Sequence, residues 1–211
     1  MPQLSVEPLA FAEGEGLVCA LTVDDGPHGA DTERLLDGLA ARDIRAVFAV
    51  IGEQIQAPGG EDLLLRTVSD GHLLCNHSTS FADMGRWDAD AVRADMLDNL
   101  QSIHQAVGDD VPVPFWRAPN GSWGVTAAVA VELGMQPLAV VNTIEDWVEQ
   151  DPEVLATRLR RAIRPGEIVL VHDGGGERSG TVAALLRVID ERLAAGWSFT
   201  LPRGFGKLAG R

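Results

Sequence analysis

The sequence is poor in cysteine, in basic residues and in long apolar runs, and each shortage narrows what the chain can be. Of 211 residues only two are cysteine, Cys19 and Cys75, far apart and each in an apolar setting. No CxxC pair or zinc-ribbon spacing exists, so they read as buried free thiols. Seventeen Lys and Arg stand against thirty-one Asp and Glu, a net charge of −14. That balance argues against nucleic acid and anionic membrane as partners, since both need a basic footprint. No stretch reaches membrane-spanning length. The N-terminal "MPQLSVEPLAFAEGEG" lacks the basic start and apolar core of a signal peptide. The expectation is therefore cytoplasmic, although a secreted chain already freed of its signal reads the same.

What is present is a globular composition, 45% hydrophobic and without low-complexity tracts. Its length suits a single domain over 1–211, with a core at about 18–201. Short apolar runs rich in Val, Ile, Leu and Phe predict strands at 18–23, 45–51, 72–76, 114–117, 137–141, 167–171 and 197–201. They are continuous rather than alternating, the pattern of parallel strands covered on both faces. Helical periodicity predicts helices at 31–41, 88–107, 125–133, 152–163 and 181–195. Asp88 caps the second, and Asp151 with Pro152 opens the fourth. Seven strands alternating with helices make a parallel barrel or a doubly wound sheet.

In such folds chemistry gathers at the carboxyl ends of strands. There the sequence carries Asp24 and Asp25, then Asn76 and His77, then Arg117 in "RAPNG". Glu145, Asp146 and Trp147 follow the fifth strand, and His172 and Asp173 the sixth, before a triple-glycine loop expected to be flexible. Any one of these groups also fits a capped turn or a surface loop. Five strand ends converging on one rim with acid–base and metal-ligating groups do not.

These residues resemble the polysaccharide deacetylases, carbohydrate esterase family four, which act on chitin, peptidoglycan and Nod factors. Four motifs appear in the family's order: "TVDDG" at 22–26, "RAPNG" at 117–121, the Asp146-Trp147 pair, and "LVHD" at 170–173. The resemblance implies a distorted (β/α) barrel of about seven parallel strands. It implies a hydrolase of non-peptide carbon–nitrogen bonds, removing acetyl groups from N-acetylated, or O-acetylated, sugars. Asp24 would be the general base and His172 the general acid, with Arg117 orienting Asp24 and Asp146 fixing the supporting network. Trp147 and Leu170 would wall the acetyl pocket, and Asn120 and Gly121 would join substrate binding. The implied partner is an acetylated carbohydrate, and the implied state a monomer.

The second motif departs from the pattern. The family has His-[Ser/Thr]-x-x-His, whereas this sequence reads His77-Ser78-Thr79-Ser80-Phe81. The implied cofactor is a divalent metal, Zn2+ first, with Co2+, Ni2+ or Mn2+ as alternatives. Asp25 and His77 would be its ligands. Asp83 is the expected third, reaching in if the chain breaks at Ala82 or Gly85, with Phe81 packed under the site. The other outcomes are a two-ligand site completed by water and no metal. A silent carbohydrate-binding barrel, or another C–N hydrolase of the allantoinase or cyclic-imide type, is the alternative function.

Overall fold

The computed structural model describes residues 3–205 as one α/β unit. Seven parallel strands form a curled sheet: β1 (Val18–Gly26), β2 (Val47–Val50), β3 (Leu73–Asn76), β4 (Phe115–Trp116), β5 (Gln136–Pro137), β6 (Glu167–His172) and β7 (Ser198–Thr200). Their order is β5-β4-β3-β2-β1-β6, with β7 pairing the start of β1. The two edges of this half-barrel are joined by the N-terminal segment. Leu9 exchanges backbone bonds with Pro137 and Ala139 on one side, while Ala10 and Ala12 bond Ile168 and Gly166 on the other. This is the expected distorted barrel.

Strand pleating sorts the side chains into two apolar layers. Cys19, Leu21, Val23, Phe48, Val50, Leu74, Val169 and Val171 face outward into a core shared with the helices. Val18, Ala20, Val47, Ala49, Leu73, Cys75, Phe115 and Ile168 face inward and fill the barrel floor. Continuing the inward set upward gives Asp24 on β1, His77 after β3, Arg117 after β4, and Leu170 and His172 on β6. One alternation therefore builds the floor and aims the polar groups above it.

The helices are α1 (Gly29–Ala40), α2 (Gly52–Ile55), α3 (Gly60–Ser69), α4 (Ala89–Val107), α5 (Thr126–Glu132), α6 (Pro152–Ala162) and α7 (Ser179–Ala194). The expected caps form. Asp88 accepts from Ala91 N–H at the start of α4, and Asp151 accepts from Glu153 and Val154 N–H at the start of α6, each worth about 1 kcal/mol. Helices α2 and α3 are additional: α2 is a single turn behind Ile51, and α3 starts at Gly60 behind Gly59, where a polar cap is normally read. The strand expected at 137–141 is reduced to β5. Beyond Pro137 the Ala139 N–H turns to Leu9, and Asn142 takes a left-handed φ of 50°. No helix among the described residues is long and apolar enough to cross a membrane.

Candidate active site

A cavity of about 350 Å³ opens at the carboxyl ends of the strands. Parallel register brings its parts together, since Asp24 pairs with His172 across β1 and β6. Beside them, His77 N–H bonds Val50 C=O, and Arg117 N–H bonds Asn76 C=O. The lining includes Asp24, Asp25, His77, Asn120, Gly121, Trp147, Leu170 and His172, all expected from sequence, together with Phe81, Val140 and Thr143.

Behind the lining stand two supports. Arg117, fully buried, donates to Asp24 Oδ1 at 2.5 Å, to Thr22 Oγ1 at 2.9 Å and to Ala139 C=O at 3.1 Å. Asp146, also fully buried, accepts from the backbone N–H and from Nδ1 of His172, both at 2.8 Å. With Nδ1 occupied, His172 has Nε2 left as its remaining polar atom at the cavity. Burial works against protonating that ring, but Asp146, joined by Asp24 and Asp25, outweighs it and raises the pKa above the ordinary histidine value. His172 is thereby kept a proton donor. Trp147 packs edge-on against it, with ring centroids 5.6 Å apart.

His77 donates Nδ1–H to Arg117 C=O at 2.8 Å. Its Nε2 lies 3.4 Å from Asp25 Oδ1 and 3.7 Å from Asp24 Oδ2. Burial opposes charge on this ring too, yet the two carboxylates raise its pKa. The converse holds for Asp25, whose burial would raise its pKa but whose His77 partner lowers it. The adjacent carboxylates that open "DDGP" thus have separate partners: Arg117 for Asp24, His77 for Asp25. Asp25 takes a left-handed φ of 76°. The triple-glycine loop packs on it, where a Cβ at Gly174 would stand 2.1 Å from Asp25 C=O.

Three expectations need correction. Asp83 is not brought to Asp25 and His77. Its exposed carboxylate accepts from Ser122 Oγ and, at 3.2 Å, from Gly85 N–H, so local capping holds it outside the cavity lining. Phe81 does not pack under the site; it lines the cavity and is 41% exposed. The triple-glycine loop is not free either. Buried Arg178 clamps it, donating Nε–H to Gly174 C=O at 2.9 Å and Nη2–H to Gly175 C=O at 3.0 Å. The Arg178 backbone N–H is tied to Asp31 at 2.8 Å.

Catalytic zinc sites use three protein donors and keep one position open. Here Asp25 and His77 supply two, and Phe81 offers none. Among the described residues no group of three His, Cys, Asp or Glu is placed to hold a metal ion. The residues present do not make a three-ligand zinc site. Thr22, the first residue of the "TVDDG" motif, accepts from Arg117. Sequence reasoning passed over Thr32, which donates to Asp173 at 2.5 Å; it lies inside a helical run and carries no local signal.

A buried carboxylate clamped by arginine and a carboxylate-held histidine facing one cavity define a hydrolase-type acid–base site on a parallel barrel. Comparison with known proteins agrees. Residues 12–138 match the family model described as polysaccharide deacetylase. A chitooligosaccharide deacetylase of Rhizobium leguminosarum bv. trifolii is 30% identical over 196 residues, 87% of this chain and 89% of that protein. Among solved structures, a mutant of a CE4 family pseudoenzyme with restored enzymatic activity superposes with a TM-score of 0.82. It is 25% identical, and the match covers 94% of this chain and 70% of that one. A family 4 acetyl xylan esterase from Clostridium thermocellum, in complex with a cobalt ion, gives 0.77 at 28% identity over 87% of each chain. The chain belongs to the polysaccharide deacetylase family, hydrolases of non-peptide carbon–nitrogen bonds.

Proposed function

We propose that the protein removes the acetyl group from N-acetylated sugar units of a carbohydrate oligomer, releasing acetate and a free amine. The observation that carries this reading is the pairing of Asp24 with His172 across β1 and β6, each held by its own buried partner. Asp24, fixed by Arg117, accepts a proton from water as the water oxygen attacks the acetyl carbon. His172, kept protonated by Asp146, gives its Nε2 proton to the amide nitrogen as the C–N bond breaks. Leu170 and the half-exposed Trp147 offer an apolar wall for the methyl group. An amide is favoured over an ester because an amine leaves only when protonated, and the site is built to hold that proton.

The test is acetate release from a chitooligosaccharide by wild type and Asp24→Asn. The wild type should release acetate stoichiometrically with new amine. The variant should lose at least a hundredfold in kcat, in the range expected for removing a general base. Undiminished release by Asp24→Asn would remove Asp24 from this role.

A further inference from the structure

Position 81 carries an aromatic ring where the family pattern carries a histidine, and the loop that bears it is held at several points. Asn120 donates Nδ2–H to the Phe81 carbonyl at 3.1 Å. Gly85 N–H donates to Ser122 Oγ at 3.0 Å, and Met84 between them is fully buried. The two loops touch so closely that a Cβ at Gly124 would stand 2.3 Å from Gly85 C=O. The loop on which Phe81 sits is thus pinned to the turn after β4. Phe81 itself, 41% exposed and part of the cavity lining, is thus held on a fixed loop with its side chain open to whatever occupies the site.

The cavity beneath it, about 350 Å³, lies at the small end of ligand sites and has room for about one sugar unit. Any neighbouring unit of a longer glycan must therefore rest on the rim. A pyranose offers an apolar face of C–H groups to an aromatic ring, and phenylalanine, having no polar atom, offers only an apolar contact in return. Resting on the deacetylase reading above, we propose that Phe81 is a specificity-determining residue. Its ring is the platform for the sugar adjoining the one that loses its acetyl group, and it makes the enzyme selective for oligomers over the free monosaccharide.

Kinetics and calorimetry with N-acetylglucosamine and its β-1,4-linked tetramer test this. Phe81→Ala should raise KM for the tetramer roughly tenfold, about 1.4 kcal/mol, and raise it several-fold more than KM for the monosaccharide. Phe81→Trp should keep wild-type KM. Calorimetric Kd for the tetramer, measured on Asp24→Asn with and without Phe81→Ala, should show the same tenfold step without any turnover. An unchanged tetramer KM and Kd in Phe81→Ala overturns the proposal. So does a fall in kcat at constant KM, which would make the ring part of the reacting centre. If the wild type binds the tetramer but releases no acetate, the deacetylase reading fails, and the tenfold Kd step still decides the platform. If it neither binds nor cleaves the tetramer, both fail.

Discussion

Replacing Arg117 by methionine removes the guanidinium and keeps most of the apolar stem, which makes it the sharpest probe of the site's electrostatics. Arg117 is fully buried, and its partner Asp24 has a side chain only 4% exposed. Breaking a buried ion pair by deleting one member costs about 3–5 kcal/mol, because the other charge is left uncompensated. Two features reduce that figure here. His77 Nε2 stays 3.7 Å from Asp24 and compensates part of its charge. Arg117 Nε, which is buried without a hydrogen-bond partner, is removed along with the rest. A loss of about 3 kcal/mol results, or about 6–12 °C in Tm for a chain of this size. Denaturant unfolding of the wild type, Arg117→Met, Asp24→Asn and the double variant measures it as a cycle. If the charge pair is the cause, the double variant recovers about 1–3 kcal/mol relative to the sum of the single effects. Additive single effects would mean that Arg117 stabilises by packing alone, and the account of Asp24 as an arginine-held base would be wrong.

Two other perturbations separate catalysis from stability. His172→Ala should lower kcat on an N-acetyl amide by about a hundredfold or more but much less on an activated aryl acetate, whose leaving group needs no proton; equal losses would give His172 another role. Asp146→Asn should move the basic limb of the pH–rate profile to lower pH, because the carboxylate that raises the His172 pKa is gone and the acid loses its proton sooner; an unmoved limb would detach Asp146 from His172. Burial pushes the Asp173 carboxyl up to about 7 from 3.8. Between those values the folded protein keeps a proton that the unfolded chain releases, so stability falls as pH rises from about 4 to about 7 and this slope ends above. Asp173→Asn should remove it, narrowing the wild-type advantage by up to about 4 kcal/mol between pH 4 and pH 8; parallel unfolding curves for the two proteins would refute the buried neutral carboxyl.

The fold was legible wherever one layer of structure settled the matter. β1 and β6 are buried on both faces by sheet neighbours and helices, so their apolar runs are unbroken and their ends fall within a few residues of expectation. Helices α4 and α6 announced themselves through aspartate caps that the structure forms. Legibility failed where a distant segment decides. β5 ends early because the chain pairs with Leu9, more than a hundred residues away, and no local pattern records that bond. Helix α3 begins behind Gly59, whose φ of 82° a capping residue would find strained, and the run Leu63-Leu64-Leu65 hides its period. Of that run only Leu64 is fully buried, while Leu65 is 45% exposed.

At the site, the same reasoning divides residues held by strand register from residues held by loops. Asp24, Arg117, Leu170 and His172 continue the inward-facing parity of their strands, so a strand-end reading places them correctly. Asp83 and Phe81 sit on a loop, where local hydrogen bonding decides. A free aspartate near a glycine finds its nearest unpaired N–H before it can reach a site six residues back, and Asp83 does so with Gly85. Once that turn closes, Phe81 is left at the cavity edge with Asn120 bonded to its carbonyl. The substitution that removes a metal donor therefore also adds apolar surface to the rim.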